Sequence, residues 1–315
     1  MNNLKQISQV PSGSDHKPSI FQPLCHASYP HIATEINDYF LKHWKFRDDK
    51  SRRKFLEADY SRFACLNYPL TSNDRIGFAC RIITLLFLVD DEIDFMPIEE
   101  GKKYNERLIL IAQGVKRPNP AIPAEWMMWD LWEDMRNHDE ELAKTVEAPC
   151  FLFMRAQVDR LRLNQNDLSL YFEFRKEDIG TDLVCAIMTF GMGMTLTDEE
   201  QEIVFPVVTN FSKHIICVND IYSYEKELRV QDESGQTGGK VLSSVPIVAA
   251  LLKVGQESAK RVLWGMCREW EINHHLLVER ILAAHPSSKL EIYFKGLEFQ
   301  FVGNELWSHE TGRYK

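Results

Sequence analysis

Ile82-Ile83-Thr84-Leu85-Leu86-Phe87-Leu88-Val89-Asp90-Asp91-Glu92-Ile93-Asp94, residues 82–94, sets a nearly unbroken apolar run directly ahead of a cluster of carboxylates. The run is too apolar for a solvent-facing surface, and with the helical spacing that continues to either side it predicts a buried helix over 74–95. Carboxylates set against such a run are costly unless a cation neutralises them. On that helix Asp90 and Asp94 are one turn apart and share a face. Asp91 lies about 100° away, so it points elsewhere or supports the other two from behind. The plainer alternative is a solvated helix end, since acidic runs are common; the apolar run favours a metal.

Outward from this stretch, helical periodicity dominates and alternating strand patterns are scarce, which predicts an all-α protein. Helices are expected near 31–44, 50–58, 101–112, 124–143, 149–163, 167–177, 181–194, 198–228, 241–252, 256–282 and 289–309, besides 74–95. Breakers fall at Pro118, Pro120, Pro123, Gly180, Pro246, Gly255 and Pro286. Residues 1–21 are mostly polar and interrupted by Pro11, Gly13 and Pro18, and are expected to be a disordered tail ahead of one domain over 22–315. No internal repeat and no linker interrupts that domain. The stretch Gln231–Lys240, rich in Gly and polar residues, is a lid loop or a plain surface loop.

A second polar cluster, Asn219-Asp220-Ile221-Tyr222-Ser223-Tyr224-Glu225-Lys226-Glu227, follows another apolar helical stretch, 211–218. Asn219, Ser223 and Glu227 recur every fourth residue and line one stripe about 12 Å long. Helical side chains lean toward the N-terminus, so Glu227 can reach back toward Ser223. Oxygen donors of this kind suit Mg²⁺, which takes a few protein ligands and completes its shell with substrate phosphates. Lys226 adds a point charge that a phosphate could meet. An exposed stripe with Glu–Lys pairs is the alternative.

The 315 residues are 44% apolar with a net charge of −9. The charge argues against a nucleic-acid partner and against adhesion to anionic lipid. No apolar run approaches the roughly 20 residues that span a bilayer, and Met1–Gln6 carries no apolar signal core. Seven cysteines are scattered without a CxxC pair, as small buried hydrophobes in a reducing compartment would be, so a cytoplasmic protein is expected.

Four patterns together resemble the class I terpene cyclases: Asp90-Asp91-x-x-Asp94, Asn219-x-x-x-Ser223-x-x-x-Glu227, Arg175-Lys176-Glu177-Asp178-Ile179-Gly180 and Arg313-Tyr314. Any one is weak; the set is highly specific. The stretches 21–26, 151–157, 218–228 and 303–308 are further similar to fungal sesquiterpene cyclases, over about Phe21 to Tyr314. The resemblance implies a single-domain helical bundle around a deep apolar cavity, with farnesyl diphosphate as substrate and diphosphate as co-product. It implies three Mg²⁺ ions, two at Asp90 and a third at Asn219, Ser223 and Glu227, and a homodimer or higher homo-oligomer. It implies that Arg175, Lys226, Arg313 and Tyr314 bind diphosphate, with Asp178 linking Arg175 to a helix break near Ile179, whose carbonyl faces a developing cation. It also implies that Phe87, Phe153 and Trp307 line the cation pocket. Aromatic residues at helical positions are ordinarily core, and a lone Arg near Glu173 and Asp178 is ordinarily a surface ion pair; those roles rest on the resemblance. Two departures stand out: Asp94 and Glu92 occupy places where the family carries Glu and an apolar residue, and the pocket tyrosine falls at Asn67, with Tyr68 one place on. These bear on the product, an eremophilane or germacrane, rather than on the reaction. A chain-elongating prenyltransferase would carry a second aspartate-rich motif at 219–227, and a mere prenyl-diphosphate binder would need neither both metal motifs nor the closing Arg-Tyr pair.

Overall fold

The computed structural model describes residues 17–159, 167–234 and 241–315, and of 230–234 the backbone alone. The described residues contain thirteen α-helices and no strand: α1 Tyr29–His43, α2 Asp49–Ala58, α3 Tyr60–Asn67, α4 Ile76–Ile93, α5 Ile98–Ala112, α6 Pro123–His138, α7 Glu140–Ala156, α8 Leu168–Asp178, α9 Thr181–Gly191, α10 Asp198–Ser234, α11 Ser244–Leu252, α12 Gln256–Ala284 and α13 Ser288–Glu310, then a 3₁₀ turn at Gly312–Tyr314. The chain forms two compact units, one of His26–Asp159 with Asp182–Thr195, the other of Met1–Cys25, Arg160–Thr181 and Leu196–Lys315.

In the first unit, α4 packs against α1, α3 and α6, and α5, α6 and α7 pack on one another. The apolar run that opened the sequence is the reason: Ile82, Leu85, Leu86, Leu88 and Val89 are all buried, each contributing about 1.5–3 kcal/mol relative to exposure. Helix α3 is absent from the periodicity. Six of its residues besides Tyr60 are buried almost all round, so no polar face betrays it. Asp59, in the left-handed region at φ 48°, ends α2 and caps α3 by accepting the Arg62 amide. The single helix expected over 124–143 is two, because Asp139 is extended and its carboxylate accepts the Leu142 amide to start α7. The same carboxylate pairs with Arg75 at 2.6 Å. Helix α7 therefore begins nine residues ahead of the expected 149–163, of which 160–163 lie outside the described residues.

In the second unit the long helix α10 packs on α8, α11, α12 and α13. It continues past the expected end at 228 through Ser234, so the first four residues of the expected loop over 231–240 are helical; 235–240 lie outside the described residues. Of the tail expected over 1–21, residues 1–16 also lie outside them. Lys17–Phe21 are already tied down: Arg268 Nε donates to the Lys17 carbonyl at 2.8 Å, the Ile20 amide donates to Glu271 Oε2 at 2.9 Å, and Phe21 is buried. These bonds belong to a buried charge network. Arg268 donates to both oxygens of Glu305 (2.7 and 2.6 Å) and pairs with Glu271, which also meets His214 Nε2 at 3.2 Å. All seven cysteines are free thiols, six of them buried. No helix among the described residues is long and apolar enough to cross a membrane.

Candidate functional site

The first acidic cluster sits at the C-terminal end of α4, where the last backbone carbonyls give the helix its negative pole. One carboxylate oxygen from each of Asp90, Asp91 and Asp94 lies within 4.8 Å of the other two. Of the two places the rotation of about 100° left for Asp91, elsewhere or in support of its neighbours, the side chain takes the one beside them: short side chains on adjacent residues at a helix end can converge. Like charges this close, at the unfavourable pole of a dipole, repel one another, and a divalent cation would relieve that repulsion. Asp90 Oδ1 accepts a hydrogen bond from Gln157 Nε2 at 2.9 Å, at the C-cap of α7. Glu92 is kept out of the cluster by Tyr104, whose hydroxyl donates to Glu92 Oε2 at 2.5 Å. Burial, reinforced by that carboxylate, pushes the Tyr104 hydroxyl above its ordinary pKa.

One α4 turn before Asp90–Asp91, Phe87 stacks on Tyr60 with ring centroids 4.6 Å apart and meets Phe63 edge-on at 5.8 Å. Phe153 on α7 is half-buried. Asn67 is buried and its amide donates to the Phe63 carbonyl at 2.8 Å. Tyr68 beside it is buried with its hydroxyl unpartnered.

The second cluster is a hydrogen-bonded set within its own unit. Asn219 is the junction: its Oδ1 accepts from Arg175 Nη2 at 3.0 Å and its Nδ2 donates to the Tyr314 hydroxyl at 3.2 Å. Ser223 Oγ donates to Glu227 Oε1 at 2.6 Å, the reach-back across one turn that the spacing predicted. Burial pushes the Glu227 carboxyl above its ordinary range, which the nearby Arg175 guanidinium partly opposes. Arg175, at the end of α8, also pairs with Asp178 through Nη1. Helix α8 stops at Ile179 because Gly180 takes φ +75°, a conformation glycine adopts without strain. The Arg175–Asp178 pair is thus shielded by the fold, with side chains only 12% and 9% exposed, unlike a surface ion pair. Lys226, beside Glu227, is half-buried.

The Arg-Tyr pair lies in the 3₁₀ turn, whose start is capped by the Thr311 hydroxyl accepting the Arg313 amide at 3.1 Å. Tyr314 meets Trp307 edge-on at 5.8 Å and stacks over Tyr222 at 6.4 Å, and Trp307 on α13 is 1% exposed. The structure thus brings Arg175, Asp178, Asn219 and Tyr314 into direct contact, joins Ser223 to Glu227, and gathers Asp90, Asp91 and Asp94 separately. Both sets offer oxygen donors, the donor chemistry of a hard divalent cation.

The profile described as "Terpene synthase family 2, C-terminal metal binding" matches residues 81–271, a span that begins just before the aspartates and contains the Asn/Ser/Glu stripe. The chain belongs to the terpene synthase family. This terpene synthase is 48% identical over 304 residues to aristolochene synthase from Aspergillus terreus, covering 96% of this chain and 95% of that one. It is 46% identical to a (+)-aristolochene synthase from Penicillium expansum, covering 94% and 90%. The crystal structure of aristolochene synthase from Penicillium roqueforti superposes with a TM-score of 0.84 at 42% identity, covering 93% of this chain and 99% of that one. An α-eudesmol synthase at 14% identity shares the fold alone, with a TM-score of 0.79. The stretches that resembled fungal cyclases in the sequence are similar to aristolochene synthase. The family's C-terminal metal-binding region and the acidic cluster on α4 make this a binder of divalent metal.

Sequence reasoning missed three supporting residues. Gln157, at the C-cap of α7, bonds Asp90, Tyr104 on α5 bonds Glu92 beside the aspartates, and Asp220, quoted within the second cluster, drew no role. Only Asp220 carried a signal, a carboxylate off the ligand stripe beside an apolar run.

Proposed function

We propose that this terpene synthase is a sesquiterpene cyclase that ionises farnesyl diphosphate in the presence of Mg²⁺ and closes it to the bicyclic aristolochene through a germacrene A-like intermediate, releasing diphosphate. The observation that carries the reading is the Asn219 junction, where a metal-ligand type, a shielded arginine and the C-terminal tyrosine are tied together. Near full-length identity to aristolochene synthases supports the choice of product class.

Asp90, with Asp91 and Asp94 beside it, would hold two Mg²⁺ ions, and Asn219, Ser223 and Glu227 a third. Bound Mg²⁺ neutralises diphosphate charge and so makes it a leaving group. Arg175 offers diphosphate a planar fork of donors, Lys226 a point charge, and Arg313 and Tyr314 a contribution from the C-terminus. Phe87 and Phe153 in the first unit and Trp307 in the second would each offer aromatic surface to carbocations, by a cation–π attraction that is strongest away from water. The Ile179 carbonyl at the Gly180 break would offer its dipole to developing positive charge. Proton transfers fall to the released diphosphate, since the pocket aromatics carry no base. We further propose one domain over 22–315, a cytoplasmic location and a homodimer or higher homo-oligomer.

A second reading changes only the product: if the family's pocket tyrosine falls at Asn67, as the resemblance implies, the buried, backbone-bonded Asn67 favours another eremophilane or a germacrane. Incubation with Mg²⁺ and farnesyl diphosphate, with and without isopentenyl diphosphate, tests all of this by gas chromatography. Aristolochene in the headspace is expected. A longer prenyl diphosphate would make the protein a transferase, and unchanged substrate a mere binder.

A further inference from the structure

Asp220 has 0% exposure yet lies off the ligand stripe, one residue round the helix from Asn219. Its Oδ2 accepts from the Tyr171 hydroxyl at 2.8 Å and from the Ser244 amide at 2.7 Å. Its Oδ1 has no hydrogen-bond partner and faces Arg175 Nε at 3.8 Å, and that nitrogen is also without one. A buried carboxylate oxygen and a buried guanidinium N–H left unpaired are each costly, and a movement on the order of 1 Å would join them. Three elements therefore meet at this carboxylate. Tyr171 and Arg175, one turn apart on α8, present the same face to it, α10 carries it, and α11 begins on it at Ser244.

A guanidinium is planar, so fixing its Nε side fixes where the two terminal nitrogens point. Here they point at Asp178 and at Asn219 Oδ1. We propose that Asp220 is a positioning residue for diphosphate recognition: it holds Arg175 by the Nε side, so that the fork rests on Asn219 without ligand and turns to a diphosphate oxygen when ligand arrives. Tyr171 and the Ser244 amide hold Asp220 in its turn. The inference rests on the reading of Arg175 given under the proposed function, and it assigns Asp220 no contact with substrate or metal.

Calorimetric titration of the whole chain with inorganic diphosphate at fixed saturating Mg²⁺ tests it. Asp220→Asn keeps shape and removes the charge, and should weaken diphosphate binding about tenfold or more, as loss of a buried charge-assisted contact does. Arg175→Gln should weaken it at least as much. The double variant should bind within about twofold of Arg175→Gln alone, because Asp220 acts only through Arg175. Tyr171→Phe keeps the charge and the ring, and should cost roughly three- to fivefold in affinity with little change in Tm, in line with one lost hydrogen bond. If Asp220→Asn does not fold, the Tyr171→Phe and Arg175→Gln cycle carries the same test. A plain packing role predicts lowered Tm with additive losses, and additivity overturns the proposal. So does wild-type affinity in both Asp220→Asn and Tyr171→Phe. A wild-type chain that binds no diphosphate with Mg²⁺ overturns the reading of the site, and this inference with it.

Discussion

Asn219 is the residue at which the proposed chemistry is most exposed to test. Its two polar atoms are both engaged, by Arg175 and by Tyr314, so replacing it severs two bonds as well as removing the proposed metal ligand. Asn219→Leu and Glu227→Gln should each nearly abolish turnover with the fold intact, a loss on the order of several kcal/mol of charge stabilisation at the leaving group. Circular dichroism and steady-state product assays at saturating Mg²⁺ check this; near-normal turnover in both would reduce the stripe to a polar helix face. Trp307 sits at the boundary between packing and chemistry, being 1% exposed and in edge contact with Tyr314. Trp307→Leu keeps the site apolar but removes the ring quadrupole, about 1–2 kcal/mol at a desolvated cation. That slows the second ring closure roughly tenfold and lets a monocyclic intermediate escape. Trp307→Phe should fall between. An unchanged product ratio in folded Trp307→Leu would return the residue to plain packing.

At the scale of elements, α12 and α13 are joined through the Arg268 network. Arg268→Met leaves Glu271 and Glu305 buried without their guanidinium and should destabilise the chain by about 3–5 kcal/mol, read from urea denaturation. A loss under 1 kcal/mol would show that the carboxylates are neutralised some other way. Next to this network on α12 lies His274, whose ring meets Phe21 and Phe301 edge-on. Burial, then the neighbouring His275, His214 and Lys295, push its pKa down from 6.5 to about 3. The unfolded chain then takes up a proton the folded chain refuses. Stability is complete above about pH 6.5 and drains, by on the order of a few kcal/mol, as pH falls toward 3. In His274→Phe the fall of Tm between pH 7 and 4 should be shallower than in the wild type; parallel curves would remove His274 from the account. The elements also show what the sequence could and could not disclose. Helix α4 was plain because its apolar run was long and ended in charge. Helix α3 was hidden because burial all round erases periodicity, and the α6–α7 break was hidden because Asp139 looks like one more polar residue until its caps and its Arg75 partner are known. The ligand stripe of α10 was legible because every member lies on one helix. The partners of Asp220 beside that stripe, Tyr171 and Ser244, come from α8 and α11, and nothing in one sequence pairs them with it.

The whole molecule should respond to its ligands jointly. Within the second cluster Arg175 occupies Asn219 Oδ1, and Ser223 and Glu227 bond to each other. A metal ion entering there must break these bonds, shed water that Mg²⁺ releases reluctantly, and share the site with a guanidinium. Diphosphate alone meets Arg175 and Lys226 but also buried and half-buried carboxylates that repel it. Each ligand removes the other's obstacle, since diphosphate gives Arg175 a new acceptor and supplies oxygens to the metal shell, while the metal cancels the repulsion. This is positive coupling, and it is reciprocal. Mg²⁺ alone or diphosphate alone should raise Tm little. Together, at about 100 times their joint Kd, they should add about 2.7 kcal/mol of stability and several degrees. Differential scanning fluorimetry with each ligand and with both reads the coupling directly. Equal shifts with Mg²⁺ alone and with the pair, or calorimetry showing three tight Mg²⁺ sites in the ligand-free protein, would mean that the sites are preformed and that Arg175 does not stand in the metal's way.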